Sequence, residues 1–316
     1  MCERHPLDCL GHLTGCVAVV GSMNADYTVT TPRLPGPGET VTGGPLEILP
    51  GGKSGNQAAQ AAKLGVHVDM FGALGTDRNA EFLARCLAEA GVNTDAITRV
   101  PGPSGTTMIT VDEAGENTIV YSPGANGTLD VEWVESIRDR LEGAGVLGLC
   151  LETPIDVVVE AARIVHEAGG QVLLNNSPFN PDLPHDLVTP TDVLLINEHE
   201  ASHMLGRDVD AETDPRDLVA PFGSLGFDRV ILTLGAHGSI VIDRGRTARI
   251  EAIVITPRDT TGCGDAFMAT ILAGLASGHT LAEAAAMGAY VGAYAATRSG
   301  AQASYGTWEQ VRAAFA

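Results

Sequence analysis

From Val17 onward, short apolar runs rich in β-branched residues alternate with longer segments of helical period, and this alternation is the strongest limit on what the chain folds into. The runs are Val17 to Val20, Val68 to Gly72, Val146 to Leu151, Gln171 to Leu174, Val193 to Ile196, Arg229 to Leu234 and Ser239 to Ile242. Most are continuously apolar rather than apolar at every second position, as expected of strands buried on both faces. Helical period occupies Asn56 to Leu64, Asn79 to Ala90, Val131 to Leu141, Ile155 to Ala168, Ala266 to Ala276 and Leu281 to Arg298. Strands separated by helices predict an α/β fold with a mostly parallel sheet covered on both sides. At 316 residues the chain is long enough to bury a real core.

Two stretches break the rhythm. Tyr27 to Pro50 is rich in Pro, Gly and Thr, and Thr106 to Tyr121 reads as a hairpin turning at Gly115. Both are expected to form strands outside the main sheet, as a lid made of segments 27–50 and 104–122. Residues 1–16 form a leader ahead of a catalytic domain at 17–316. Its Cys2, Cys9 and Cys16, interleaved with His5 and His12, lack the spacing of a zinc module, and Pro6 and Gly11 are expected to break any helix. A metal site there is therefore disfavoured, and the leader is expected to be an unstructured or adventitious segment whose order the sequence leaves open.

Lys and Arg number 19 against 39 Asp and Glu, a formal charge of −20. That excess excludes a nucleic-acid backbone or an anionic membrane as partner, since both need a basic surface. It leaves room for a phosphate-bearing substrate held by backbone N–H groups. The N-terminus has no continuous apolar region of a secretory signal, and no run approaches the roughly 20 residues of a membrane span, so a cytoplasmic protein is expected.

The most informative segment is Asp259-Thr260-Thr261-Gly262-Cys263-Gly264-Asp265, between a strand expected around Ile253 and an Ala-rich helix. Two glycines let the backbone turn so that successive N–H groups at the helix start point into one concavity, which is an anion site. A carboxylate beside bound phosphate is wasteful unless it has work to do, and Asp265 suits a general base taking a proton from an attacking hydroxyl. The bland alternative is a helix cap.

Pro50-Gly51-Gly52-Lys53-Ser54-Gly55-Asn56 also leads into a helix. It is not a P-loop, because Glu47 stands where the first Gly is required. Asn56 offers both donor and acceptor to a polyhydroxyl ligand. Gly21-Ser22-Met23-Asn24-Ala25-Asp26 follows the first strand and lacks a Rossmann fingerprint, yet an amide and a carboxylate past a parallel strand suit sugar hydroxyls. Asn197-Glu198-His199-Glu200 and Glu152 place acids after two further strands, where they could serve Mg²⁺ or, for Glu200, a helix first turn. Thr233-Leu234-Gly235-Ala236-His237-Gly238 is a strand and glycine turn that a hairpin alone would explain.

In this order the segments GSMNAD, PGPGETVTG, GGKSGNQA, SPGAN, INEHEA, TLGAHG, DTTGCGDAF and TRSGAQAS resemble the PfkB carbohydrate kinase family over about Val17 to Ser304. The PGPGET and GAQ segments are most similar to its ribose-phosphorylating branch. The resemblance implies a three-layer αβα sandwich with a small β-sheet lid, and ATP-dependent phosphorylation of D-ribose at its 5-hydroxyl. It implies Asp265 as base, with Gly262, Cys263 and Gly264 completing an anion hole for the γ-phosphoryl group. Asn24, Asp26, Gly52, Lys53, Asn56 and Glu152 would hold the sugar. Asn197, Thr233, Gly235, Gly238 and Gly264 would meet ATP, and Glu200 would order the waters of Mg²⁺. A potassium site would draw on Asp259, Thr261, Ala295, Arg298, Gly300 and Ser304. The lid of such proteins commonly joins two subunits, so a homodimer is expected. The chain departs from the family at Ser54 and Gly55, at Cys263, at Asn175-Asn176-Ser177-Pro178 and at Ala289. Another pentose such as deoxyribose, or a nucleoside, is the alternative substrate. A non-catalytic sugar sensor is the alternative class, disfavoured because Asp265, Gly262 and Gly264 are all present.

Overall fold

A computed structural model describes residues 5–316. The strands are β1 (Cys16–Val20), β2 (Asn24–Thr31), β3 (Glu47–Gly51), β4 (His67–Leu74), β5 (Ile97–Arg99), β6 (Gly105–Asp112), β7 (Asn117–Ser122), β8 (Val146–Leu149), β9 (Gln171–Asn175), β10 (Val193–Asn197), β11 (Arg229–Thr233), β12 (Ser239–Asp243) and β13 (Arg246–Ile250). Nine of them form the main sheet in the order β13-β12-β11-β10-β9-β8-β1-β4-β5. It is parallel from β11 to β5, and β12 and β13 add an antiparallel edge.

Alternate residues along each central strand enter different cores. Val17, Val19, Val146, Leu173 and Leu195 join one cluster, in which the helices Lys53–Lys63, Cys263–Ala276 and Leu281–Ala296 pack. Ala18, Val20, Leu147, Leu174 and Ile196 join the other, under the helix Ile155–Glu167. This is the three-layer αβα arrangement, and it explains why the strands read as apolar throughout: each face has its own helical cover. Close approach of the two Ala-rich helices depends on small residues, because a Cβ on Gly274 would lie 2.7 Å from Ala284 Cβ.

A second, mixed sheet has the order β3-β2-β6-β7, with β2 and β6 parallel and the outer pairs antiparallel. The hairpin turn falls at Gly115, whose φ of 84° suits glycine. One face of this sheet carries exposed apolar side chains that the strand register sets side by side, Ile48, Met108 and Val120.

Four sequence expectations need correction. The strands outside the main sheet begin before Tyr27, since β2 starts at Asn24 and pairs with both β3 and β6. No strand surrounds Ile253: the last strand ends at Ile250, and Val254 is almost fully exposed. Val131 to Leu141 is two short helices, because Ile137 leaves helical geometry at φ −110° and ψ 9°. Finally, the described part of the leader, residues 5–16, contains regular structure. Pro6–Leu10 is a helix whose Leu7, Cys9 and Leu10 are buried in the first core. Pro6 stands at the helix start, where its missing N–H costs nothing, and Gly11 caps the end, so both bound the helix instead of breaking it. Among the described residues no group of three or more His, Cys, Asp and Glu side chains is arranged to hold a metal. Cys2 lies outside the described residues.

Candidate active site

The site lies beyond the C-terminal ends of β1 and β8. There the sheet order reverses, the place where open α/β sheets bind ligands. The chain after β1 enters the small sheet at once, so Asn24 and Asp26 are held between β3 on one side and β6 on the other.

Asn24 is almost fully buried, and its Oδ1 accepts from Asn126 Nδ2 at 2.8 Å. Asn126 also accepts from the Met23 N–H at 3.1 Å, so one buried amide locks the start of β2. The Asp26 carboxylate accepts from the Thr107 hydroxyl on the neighbouring strand. Burial pushes its pKa up to about 6, aided by the nearby Glu152 and Asp265 charges and opposed by Thr107. Gly51 is what lets β3 pass so close, because a Cβ there would lie 1.9 Å from Asp26 Oδ2.

Gly52, with φ 84°, starts the helix Lys53–Lys63, and a Cβ on it would lie 2.8 Å from the Asn24 nitrogen. Glu152 Oε2 accepts from the Lys53 N–H at 3.0 Å and from the Ser22 hydroxyl, tying the loops after β1 and β8 to this helix start. Burial alone would lower the Lys53 pKa, but the charges of Asp265, Glu152, Cys150 and Glu200 outweigh it, so the ammonium is held protonated. The Ser54 hydroxyl faces Cys150 Sγ at 3.0 Å in a fully buried pair. This departure from the family pattern thus sits behind the loop and adds no hydroxyl to the ligand side.

Asp265 stands in the first turn of the helix Cys263–Ala276 and remains partly open. Its Oδ2 accepts from Asn56 Nδ2 at 2.9 Å and its Oδ1 from Gln57 Nε2 at 3.2 Å. Burial raises its pKa, and Lys53 and the two amides hold that rise back. Gly262 precedes the helix in left-handed geometry (φ 75°), and its carbonyl accepts from the Tyr305 hydroxyl at 2.9 Å. The Cys263 N–H is spent on the Thr260 carbonyl at 3.2 Å. The N–H groups of Gly264 and Asp265 have no backbone partner among the described residues. Two unpaired N–H groups beside a carboxylate at a helix start can hold an anion next to a base. Of the four residues named for the anion hole, Cys263 is therefore the poorest donor, and burial pushes its thiol up to about 11.

Asn197 and Glu200 form a reciprocal capping box: the Glu200 N–H donates to Asn197 Oδ1 at 2.9 Å, and the Asn197 N–H to Glu200 Oε2 at 2.8 Å. Burial raises the Glu200 pKa, while Lys53 acts the other way. Thr233 pairs with Asn197 across β10 and β11, and Gly235 and Gly238 follow with φ 53° and 85°. Gly238 has a purely structural need, since a Cβ there would meet the Ile250 carbonyl at 2.0 Å. Asp259 accepts from the N–H of Thr261 at 2.9 Å and of Gly300 at 2.8 Å. Burial would raise its pKa, but those donors hold it low. Arg298 stacks 3.6 Å from the centre of the Tyr294 ring and its N–H reaches the Ala295 carbonyl, while Ser304 donates to the Ala301 carbonyl.

The structure thus brings Asn24, Asp26, Gly52, Lys53, Asn56, Glu152 and Asp265 into one polar cluster. Asn197, Glu200, Thr233, Gly235 and Gly238 lie at the ends of the next strands, and Asp259, Thr261 and Gly300 form a separate junction. Sequence reasoning missed Ser22, Gln57, Thr107, Tyr121, Asn126 and Gln302. Ser22, Gln57, Asn126 and Gln302 did lie in the GSMNAD, GGKSGNQA, SPGAN and GAQ segments, so a signal was present, but nothing in the sequence says that a residue over 100 positions away locks Asn24.

Comparison with known proteins gives the family and the fold. Residues 16–308 match the pfkB family of carbohydrate kinases. A ribokinase of Schizosaccharomyces pombe is 34% identical over 95% of this chain and 97% of its own length. A deoxyribokinase of Salmonella typhi is 30% identical over 93% of this chain and 96% of its own. The structure of Arabidopsis thaliana ribokinase complexed with ribose and ATP superposes with a TM-score of 0.86 at 29% identity, covering 95% of this chain and 98% of that one.

Proposed function

The chain belongs to the pfkB family of carbohydrate kinases, and we propose that it transfers the γ-phosphoryl group of ATP to the 5-hydroxyl of D-ribose. One observation carries this reading: the Asp265 carboxylate stands beside two unpaired N–H groups, accepts a hydrogen bond from Asn56 and lies within electrostatic reach of Asp26 and Glu152, the sugar-type groups at the ends of neighbouring strands. Phosphoryl transfer needs positioning and charge stabilisation more than covalent help, and these groups supply both.

In this reading Asp26 and Asn24 hold the sugar, and Lys53 and Glu152 fix the loop around it. Asp265 takes the proton from the attacking hydroxyl. Its raised pKa makes it a better base than an exposed aspartate, and Lys53 and the two amides oppose that rise. The N–H groups of Gly264 and Asp265 meet the charge that gathers on the transferred group. Asn197, Thr233, Gly235 and Gly238 form the nucleotide side.

Magnesium and potassium complete the proposal. A divalent ion would neutralise the phosphates of ATP, and Glu200, with one carboxylate oxygen outside the capping box, suits contact through water. Asp259 joins segments 259–261 and 300–304 through an oxygen-rich junction whose low pKa keeps it charged, which fits a monovalent cation drawing also on Thr261, Ala295, Arg298, Gly300 and Ser304. The exposed apolar face of the small sheet fits a second copy of the chain. Among the described residues no helix is long and apolar enough to cross a membrane. We place the protein in the cytoplasm.

The test is turnover of purified protein with ATP and Mg²⁺ on D-ribose, 2-deoxy-D-ribose and nucleosides, with the phosphorylated position read by NMR. Preference for D-ribose and phosphate on its 5-oxygen are expected. Preference for deoxyribose, in keeping with the Salmonella relative, would overturn the ribose assignment and leave the family standing.

A further inference from the structure

We infer that Gln302 is a positioning residue for the catalytic base: its side-chain amide decides which way the Asn56 amide faces and so keeps an N–H group, not a carbonyl oxygen, against Asp265. This rests on the reading of Asp265 as the base. The two ends of an asparagine amide are nearly equal in size, so packing alone does not choose between its two orientations and hydrogen bonding must. Asn56 and Gln302 are both buried, at 6% and 7% exposure, which leaves little water to satisfy a misplaced group. Gln302 Nε2 donates to Asn56 Oδ1 at 3.2 Å, and Asn56 Nδ2 donates onward to Asp265 Oδ2 at 2.9 Å. Turning Asn56 over would set its oxygen against the carboxylate and its amino group against that of Gln302, two repulsive contacts in a buried place.

Gln302 is itself held. Lys63 Nζ donates to the Gln302 carbonyl at 3.4 Å and to the Tyr305 carbonyl at 2.9 Å. Two residues before it, the Gly300 N–H is anchored on Asp259. The base is thus tied, through one amide, to a turn almost forty residues further along the chain. The charged and titratable groups around Asp265 are Lys53 on the Lys53–Lys63 helix, Glu152 after β8, Asp26 on β2, and Cys263 and Tyr305 beside the helix start. None of these side chains bonds the Gln302 amide.

The test is the pH profile of kcat, at saturating ATP and sugar, for the wild type, Gln302→Met and Gln302→Glu, with thermal melting to monitor folding. Methionine keeps the volume and removes the donor. The acid limb should move to higher pH, so that at the wild-type midpoint the variant falls to roughly a tenth of its own plateau, while the plateau itself is largely kept. Glutamate accepts instead of donating, turns Asn56 over and should move the limb further in the same direction. It also serves if the methionine variant does not fold. A purely structural role would lower kcat by the same factor at every pH. An acid limb owed to Asp26 would not move with Gln302 at all. Limbs that coincide with the wild type in a folded variant overturn the inference. If instead Asp265→Asn keeps its turnover, the reading of Asp265 as base falls, and this inference with it.

Discussion

Replacing Gly264 by alanine separates what the protein needs for itself from what it needs for its substrate. Gly264 is in the first turn of the helix Cys263–Ala276 with ordinary helical backbone, and apart from its chain neighbours and its own helix's backbone a Cβ built on it meets nothing within 4 Å. Nothing inside the protein therefore calls for glycine. Alanine is preferred over glycine in helices by about 1 kcal/mol, less in a first turn, so Gly264→Ala should stabilise the fold by about 0.5–1 kcal/mol. In a chain of 316 residues that raises Tm by about 1–2 °C. The added methyl group occupies space beside the two unpaired N–H groups, where the γ-phosphoryl group is assigned. Spoiling one oxyanion donor costs kcat about 10²–10³-fold.

Gly262→Ala is the contrasting case. It needs left-handed backbone, for about 1–2 kcal/mol, and its Cβ would lie 2.6 Å from Tyr305 Oη and 2.9 Å from Ala301 Cα, which threatens the Tyr305 hydrogen bond. A loss of about 2–4 kcal/mol and about 3–6 °C is expected. Calorimetry and steady-state kinetics on both variants give the answer. Gly264→Ala that melts at or above the wild type with wild-type kcat would refute the placement of the phosphoryl group at this helix start.

Three further outcomes follow from other parts of the structure. Asp26 has its pKa raised from 3.8 to about 6, so the folded protein holds a proton that the unfolded chain has lost, and the fold loses stability as pH rises through that window. Asp26→Asn should then be more stable than the wild type by about 1–2 kcal/mol above pH 7, no more stable at pH 4, and weaker in sugar binding, as chemical denaturation and calorimetric titration would show. Leu10 is fully buried, and Leu10→Ala should lower stability by about 2–5 kcal/mol with kcat unchanged; an unchanged Tm would mean that the leader helix does not dock. Val120→Glu, on the open face of the small sheet where Val120 is 67% exposed, should turn a dimer into a monomer in analytical ultracentrifugation, and a wild type already monomeric at micromolar concentration would exclude that interface.

The alternation of apolar runs and helical segments determined the layered α/β fold, because a strand covered by helices on both faces has to be apolar along its whole length. The glycine-rich helix starts were legible for a similar reason: at Gly262 and Gly52 the backbone adopts φ of 75° and 84°, which leaves a local mark in the sequence. Asp265 was legible from its place at such a start. What the sequence left open is how partners meet across the chain. That Asn126 locks Asn24, that Thr107 holds Asp26 and that Gln302 orients Asn56 depend on strand pairing and on a turn that folds back against a helix. The leader shows the same limit from the other side: Pro6 and Gly11 look like breakers in isolation, and only packing against the helices Leu281–Ala296 and Trp308–Phe315 makes Pro6–Leu10 worth forming. Local conformation is written in residue type at fixed spacing, whereas a buried hydrogen bond between distant residues exists only once the sheet order has brought them together.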